Sequence, residues 1–332
     1  MQIYLYSLRK IEILHYLCTL MKTIFFPDQT LNDGKYAATI GFFDGVHQGH
    51  QFLMKRLNEE AQQRGLKSMA ITFERHPRQV VQGSWKPELL TELHEKLKQL
   101  KATSIDVVVV LRFNRQMAGL SAGEFMQLMY DRLGVRMLLT GYDNRFGHDR
   151  TEGFEDYQRY GKELGIEVMC GDALIMNQQN VSSSLVRLLL KAGDIEEATR
   201  CLGRPYSLGG QVVHGEQIGR TIGFPIANLQ PDNDKLIPQD GVYAVIVDLN
   251  NGTQMPGIMN IGTRPTFNGT SRTLETNLLE AVGDLYGQRL TIHFIARLRS
   301  EQHFPSAEAL AEQIEKDKQQ AKDILNKQKY DR

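Results

Sequence analysis

The chain has 332 residues, enough for about two domains. Lys and Arg together number 39, as do Asp and Glu, so no excess charge supports a broad nucleic-acid or membrane surface. The three cysteines, Cys18, Cys170 and Cys201, are far apart and odd in number; they form neither a metal spacing nor a disulfide framework, which suits a reducing cytosol. Residues 1–20 are rich in Leu and Ile, but Arg9, Lys10 and Glu12 interrupt the run. That is too broken for a transmembrane helix and poorly ordered for a signal peptide. The stretch reads as an upstream extension ahead of a natural start at Met21, with an amphipathic partner helix as the alternative.

The apolar run 37–40 predicts a strand. It leads into T-I-G-F-F-D-G-V-H-Q-G-H, residues 39–50, a turn broken by Gly41, Gly45 and Gly49. A helix follows from Gln51, with Phe52, Leu53, Leu57 and Ala61 near one face, and Gly65 stops it. Strand, glycine turn and helix N-terminus make an anion site, because free N–H groups and the helix dipole favour negative charge. His47 and His50 lie three apart at that end. Two imidazoles there suit a phosphate under attack, donating hydrogen bonds without the fixed charge of Lys or Arg. The bland alternative is a glycine turn with two surface histidines.

Residues 68–73 predict a second strand, ending in F-E-R-H-P at 73–77. Helical spacing of Leu89, Leu93, Leu97 and Leu100 covers 89–101, and 105–111 reads as a buried parallel strand. Ser121 and Glu124 form a capping box for a helix that runs to Gly134, and 136–140 is another strand. The alternation predicts a parallel sheet with helices on both faces. The loop G-Y-D-N-R-F-G-H-D-R-T-E-G, 141–153, leaves a strand's carboxyl end, where open α/β sheets bind ligands. V-S-S-S-L-V-R, 181–187, puts three hydroxyls before a helix with Arg187 one turn in, either a Ser cap or a second phosphate clamp. Asp194 and Glu197 cap a short helix ending at Gly203. Composition then shifts to short strands at 207–213, 241–249, 254–261, 273–279 and 290–298, punctuated by turn residues. About six strands suggest a small antiparallel barrel, and a polar amphipathic helix, 306–325, closes the chain.

H-Q-G-H resembles the H-x-G-H signature of the adenylyl-transferring nucleotidyltransferases, which are Rossmann-like α/β enzymes, and the longer string G-F-F-D-G-V-H-Q-G-H resembles the FAD synthetases. Class I aminoacyl-tRNA synthetases share the short signature, but their K-M-S-K-S counterpart is absent from this sequence. The second half is similar to riboflavin kinase in G-R-T-I-G-F-P-I-A-N-L (219–229), D-G-V-Y (240–243), N-I-G-T-R-P-T-F (260–267), L-E-T-N-L-L (274–279) and G-D-L-Y-G (283–287). Together the resemblance spans about residues 21–326 and is to the bacterial bifunctional riboflavin kinase/FAD synthetases. It implies an adenylyltransferase domain at 21–202 and a kinase domain at 203–326. The expected reactions are riboflavin to FMN with ATP, then FMN to FAD and pyrophosphate with a second ATP, both using Mg²⁺, in the cytoplasm, with no nucleic-acid or membrane partner. The alternative is FMN adenylyltransferase alone, with a degenerate flavin-binding second half.

Residue by residue, the resemblance implies nucleotide binding by Gly41, Phe43, Asp44, Gly45 and Gly49, catalysis by His47 and His50, and a place near flavin and phosphates for His76. It implies binding roles for Asp143 and Arg150, a triphosphate clamp from Ser183 and Ser184, and Arg187 neutralising the departing pyrophosphate. In the kinase half, Gly219 and Gly223, with Gly215, allow a loop close to phosphates. Deprotonating a primary alcohol needs a carboxylate base, and Glu275 matches the family's. Asn228 offers an oxygen to Mg²⁺. Three residues depart from the family: Asn144 for an aromatic, Ile226 for the threonine of P-T-A-N, and Asn277 for a histidine.

Overall fold

Val107–Leu111 reads V-V-V-V-L, and such a strand is stable only when both its faces are covered. In the computed structural model it is β4 of a six-stranded sheet with β1 (Lys22–Phe26), β2 (Tyr36–Ile40), β3 (Lys67–Phe73), β5 (Val135–Thr140) and β6 (Glu167–Cys170). The structure describes residues 22–31, 35–148, 151–214, 226–232, 234–266, 269–280 and 283–330; the expectations for residues 1–20, Arg150, Gly215, Gly219 and Gly223 lie outside them. All strand pairs are parallel, in the order β1-β4-β3-β2-β5-β6.

Alternate β4 residues serve opposite faces. Val108 and Val110 pack with Leu53, Met54 and Leu57 of α1 (Gln48–Gln63). Neither α2 (Pro77–Val81) nor the sheet's far side shares that cluster, but Leu97 and Leu100 of α3 (Leu93–Lys101) do. Val107, Val109 and Leu111 face α4 (Arg115–Ala118), α5 (Ala122–Leu133) and α6 (Phe154–Leu164) through Met117, Phe125, Met129 and Tyr157. The expected two-sided parallel sheet is therefore present. Strand order reverses at β2, with β3 on one side and β5 on the other, so the loops leaving the carboxyl ends of β2 and β5 flank a crevice.

Three features differ from expectation. The helix expected over 89–101 starts only at Leu93, because the N–H groups of Leu90 and Thr91 are given to the Asp44 carboxylate and Glu92 caps the helix with Glu95. Neither edge strand, β1 or β6, was expected; their apolar runs are only three residues long, and β6 buries no residue fully. A small hairpin, β7 (Ile175–Met176) with β8 (Gln179–Asn180), turns on Asn177 and Gln178 at positive φ.

By its contacts the chain divides into two compact units, Met1–Ser182 and Ser183–Arg332. The second begins with α7 (Ser183–Ala192) and α8 (Ile195–Leu202). Then come β9 (Tyr206–Val213), β10 (Ile226–Pro231), β11 (Gly241–Asp248), β12 (Gln254–Thr266), β13 (Gly269–Leu278) and β14 (Arg289–Arg299), closed as a barrel in the order β10-β13-β12-β11-β14-β9. Its lumen is filled: Tyr243, Val245, Val247, Ile292 and Phe294 are wholly buried, with the Tyr243 and Phe294 rings edge to face at 5.3 Å. Alternate residues Val242 and Ala244 point the other way and pack with Ala321 and Leu325 of α9 (Ala307–Tyr330).

Ile195, Ala198 and Leu202 of α8 are buried, and this helix packs on β9 and β14. Burying each large aliphatic side chain is worth about 1.5–3 kcal/mol. A fragment Ser183–Arg332 should therefore melt at least about 5 °C above one that begins at the first barrel strand. Thermal circular dichroism of the two fragments measures this, and equal melting temperatures would show that α8 adds no stability to the barrel.

Candidate functional site

The first candidate site lies at the switch point. Phe43, at φ 52, and Gly45, at φ 79, bend the chain leaving β2 into a three-residue 3-10 turn, Asp44–Val46. His47 then caps α1 in extended conformation, and its Nδ1 accepts the His50 N–H at 3.3 Å. With Nδ1 an acceptor, a neutral His47 carries its proton on Nε2. The His47 and His50 rings stack at 3.6 Å, and Phe43 stands edge-on to His50 at 5.2 Å. Burial, then the neighbouring His47 and Lys96, hold His50 neutral, well below the usual imidazole range. Among the described residues, Nδ1 of His50 is buried with no hydrogen-bond partner.

The glycine turn has fewer outward donors than its sequence suggests. The Gly41 N–H bonds to Ile71 O at 3.0 Å, continuing the ladder past β2, and the Gly45 N–H bonds to the Thr91 hydroxyl at 2.9 Å. What remains for an anion is the start of α1 at Gln48 and Gly49, since His47 takes the His50 and Gln51 N–H groups. Gly49 sits there because a Cβ would come within 2.8 Å of the Val181 carbonyl and 3.1 Å of the His47 ring. The close approach seats the chain two residues ahead of Ser183 against this turn. Asp44 is 2% exposed, and its carboxylate accepts from the Leu90 and Thr91 N–H groups at 2.9–3.0 Å and the Thr91 hydroxyl at 3.2 Å. Its geometry is that of a tie between two segments.

His76 caps α2, accepting the Arg78 N–H on Nδ1 at 3.1 Å, and its ring lies 4.6 Å from both Phe42 and Trp85. In the loop after β5, Asp143 is exposed. Asn144, in the family's aromatic position, donates its side-chain amide to the Ile40 carbonyl, joining that loop to the end of β2. Phe146 stacks on Tyr157 at 4.2 Å. Ser183, Ser184 and Arg187 head α7, in the second unit, with Arg187 half-buried.

The second candidate site is on the outer face of the barrel. Ladder register sets Asn228 of β10 opposite Glu275 of β13, and Glu275 opposite Asn260 of β12. Directly opposed side chains share a face within about 5 Å, so a carboxylate stands between two amides. Glu275, Asn260 and Asn277 line a cavity of about 320 Å³ that is completed by Arg299 and by Leu310 and Asp317 of α9. Arg299 grips Asp317 with hydrogen bonds of 2.8–3.0 Å, and Gln313 adds another at 2.9 Å. Ile226 stands opposite Asn277 in the ladder.

Sequence reasoning missed Lys96, Trp85, Asn260 and the Arg299–Asp317 pair. Lys96 had a signal: it falls on the apolar stripe of Leu93, Leu97 and Leu100 and is 2% exposed. The others depend on pairings distant in the chain.

The FAD synthetase family matches residues 29–185 and the riboflavin kinase family residues 202–325. A Haemophilus influenzae protein named bifunctional riboflavin kinase/FMN adenylyltransferase is 38% identical over 291 residues, covering 87% of this chain and 94% of its own. A Pseudomonas fluorescens protein of the same name is 41% identical over 282 residues, covering 84% and 90%. Among solved structures, a Streptococcus pneumoniae protein called a macrolide-efflux protein superposes with a TM-score of 0.82 at 28% identity, covering 90% of this chain and 98% of its own. Among the described residues here, no helix is long and apolar enough to cross a membrane.

Replacing Asp44 leaves two buried N–H groups unsatisfied, each costing about 1–3 kcal/mol. Asp44→Ala should lower the stability of the first unit by on the order of 2–4 kcal/mol in urea unfolding. An unchanged midpoint would mean that water or another acceptor replaces the carboxylate.

Proposed function

The chain belongs to the bifunctional riboflavin kinase/FMN adenylyltransferase family, and we propose that it runs its two reactions at separate sites, one in each unit. The observation that carries this reading is the row Asn228–Glu275–Asn260 in the second unit, apart from the stacked His47–His50 pair of the first. Each cluster suits one phosphorus centre.

In the second unit, Glu275 takes the proton of riboflavin's primary alcohol. The alcohol oxygen bonds to the γ-phosphorus of ATP, the bond to the β–γ bridging oxygen breaks, and FMN and ADP result. The cavity roofed by α9 holds the flavin. Mg²⁺ fits the donor chemistry here, since Asn228 and Glu275 present hard oxygens side by side. Among the described residues no group of three or more His, Cys, Asp and Glu could hold a metal. Asn228 would therefore hold the ion jointly with phosphate oxygens and water, where its charge offsets that of the transferring phosphoryl group.

In the first unit, a phosphate oxygen of FMN attacks the α-phosphorus of a second ATP, the α–β bridge breaks, and FAD and pyrophosphate form. The N–H groups of Gln48 and Gly49 at the start of α1, with the Nε2–H of His47 and the His50 ring, stabilise charge on the α-phosphate oxygens. Gly41, Phe43, Gly45 and Gly49 shape that turn, and His76, Asp143 and Arg150 are assigned to ligand contacts by family resemblance. Family resemblance assigns Ser183 and Ser184 to the triphosphate and Arg187 to the leaving pyrophosphate. Gly219 and Gly223 serve the kinase's phosphate loop. The proposed partners are these small molecules alone. The proposed compartment is the cytoplasm, where the free thiols of Cys170 and Cys201 stay reduced.

Incubation with riboflavin and Mg-ATP, followed by separation of flavins, tests the pair of reactions, and both FMN and FAD are expected. His50→Ala should cut FAD formation from FMN by about a hundredfold, the usual cost of a lost transition-state donor, and leave riboflavin phosphorylation intact. Glu275→Gln should do the reverse. Loss of both activities in either folded variant would overturn the two-site assignment.

Ile226 brings no oxygen where the family has a threonine hydroxyl. Mg²⁺ would then be held by one fewer protein oxygen, and the γ-phosphate would be held less firmly in place. Ile226→Thr is expected to lower the Mg²⁺ concentration for half-maximal phosphorylation and to raise the rate. A superimposable Mg²⁺ titration would show that position 226 does not reach the metal.

A further inference from the structure

Lys96 is a buried cation that neither reaction uses. Its Nζ donates to the carbonyls of Phe42 and Phe73, each at 3.0 Å, and lies 4.0 Å from the Phe42 ring centroid. Phe73 ends β3, and Phe42 lies in the turn that leaves β2. The Phe42 carbonyl also accepts from the Thr72 hydroxyl at 3.0 Å. We infer that Lys96 is a positioning residue for adenylyl transfer: its ammonium fixes the carboxyl ends of two adjacent strands beneath the two-histidine turn.

Structural need alone explains this residue poorly. Two carbonyls can be satisfied by a neutral amide, whereas an ammonium 2% exposed carries a large desolvation cost. Asp44, the carboxylate that faces it, also accepts from the Leu90 and Thr91 N–H groups. Buried charges of this kind cluster at functional sites. Here the cation sits under the segment that delivers Phe43 and His50, where a triphosphate's negative charge would arrive. A fixed positive charge in a water-poor site favours that arrival and needs no reorganisation during the reaction.

The charged and titratable groups facing Lys96 and His50 are Asp44, His47 and each other. Burial lowers Lys96 to about 7, with Asp44 opposing the change. Lys96 is thus charged on the acid side of that value and neutral on the alkaline side. Its support of the site should fade as pH rises through about 7. His50, pushed down by burial, His47 and Lys96, remains neutral across that range.

The inference rests on assigning adenylyl transfer to the first unit. The test measures kcat/KM for ATP in FAD formation from FMN against pH, because this ratio reports the free enzyme, with riboflavin phosphorylation as the internal control. In the parent, FAD formation should fall as pH rises through about 7 while phosphorylation does not follow it. Lys96→Arg keeps its charge at every pH and should retain activity without that fall. Lys96→Met should lose at least about tenfold in kcat at acid pH, with unchanged phosphorylation. A Lys96→Met protein with the parent's rate and profile overturns the inference. So does an arginine variant whose profile superimposes on the parent's, and so does a flat parent profile between about pH 6 and 9, even if Lys96→Met fails to fold. A parent that makes FMN but no FAD overturns the adenylyl-transfer assignment itself, and the Lys96 role with it.

Discussion

The burial of Asp44 is the constraint from which the first site follows. A carboxylate 2% exposed is tolerated only when donors surround it. Asp44 finds them in the consecutive N–H groups of Leu90 and Thr91. Those bonds take the two residues out of the helix that the leucine spacing would otherwise begin, so α3 starts at Leu93. Lys96, in the first turn of that helix, reaches the Phe42 carbonyl. Phe42 and Phe43 in turn back His76 and His50. One buried charge thus fixes a turn, a helix start and the floor under two imidazoles.

In the barrel the equivalent constraint is ladder register. Asn228, Glu275 and Asn260 lie on strands distant in sequence, yet hydrogen-bond pairing places them in one row. A slip of one residue would turn Glu275 into the lumen and bring Leu274 or Thr276, both now buried, to the outer face. The packed lumen resists that slip, because the Tyr243 and Phe294 rings fill it and the Tyr243 hydroxyl already donates to the Gln239 carbonyl.

Much of this was legible in the chain. The continuous valine run announced a two-sided parallel strand, and the Ser121–Glu124 capping box appears as expected, with Ser121 Oγ accepting the Glu124 N–H. The histidine pair was visible as a short local motif, since strand, turn and helix are contiguous there. Edge strands were not legible, because β6 is covered on too little of its surface to need an apolar pattern. The ties of Asp44 were not legible, because its partners lie far along the chain and are backbone groups, which leave no mark in the residue types. Asn144 read as a missing aromatic, and only the fold shows its amide bonded to Ile40. Asn260 sat inside a matched string, but its adjacency to Glu275 is a property of register.

The filled lumen has one more consequence. Glu275 stands on a wall whose opposite surface is the barrel's own core, and the chamber in front of it is closed by α9, a separate helix pinned through Asp317 to Arg299. Carboxylate and roof therefore belong to different layers. The shape of the chamber can be altered at Leu310 or Ile314 without disturbing any lumen side chain. A fold organised this way separates what must stay constant, a carboxylate held by strand pairing, from what can drift, the surface that measures the guest. Changes of substrate preference in such a protein should accumulate in its last helix, while its strands keep the chemistry fixed.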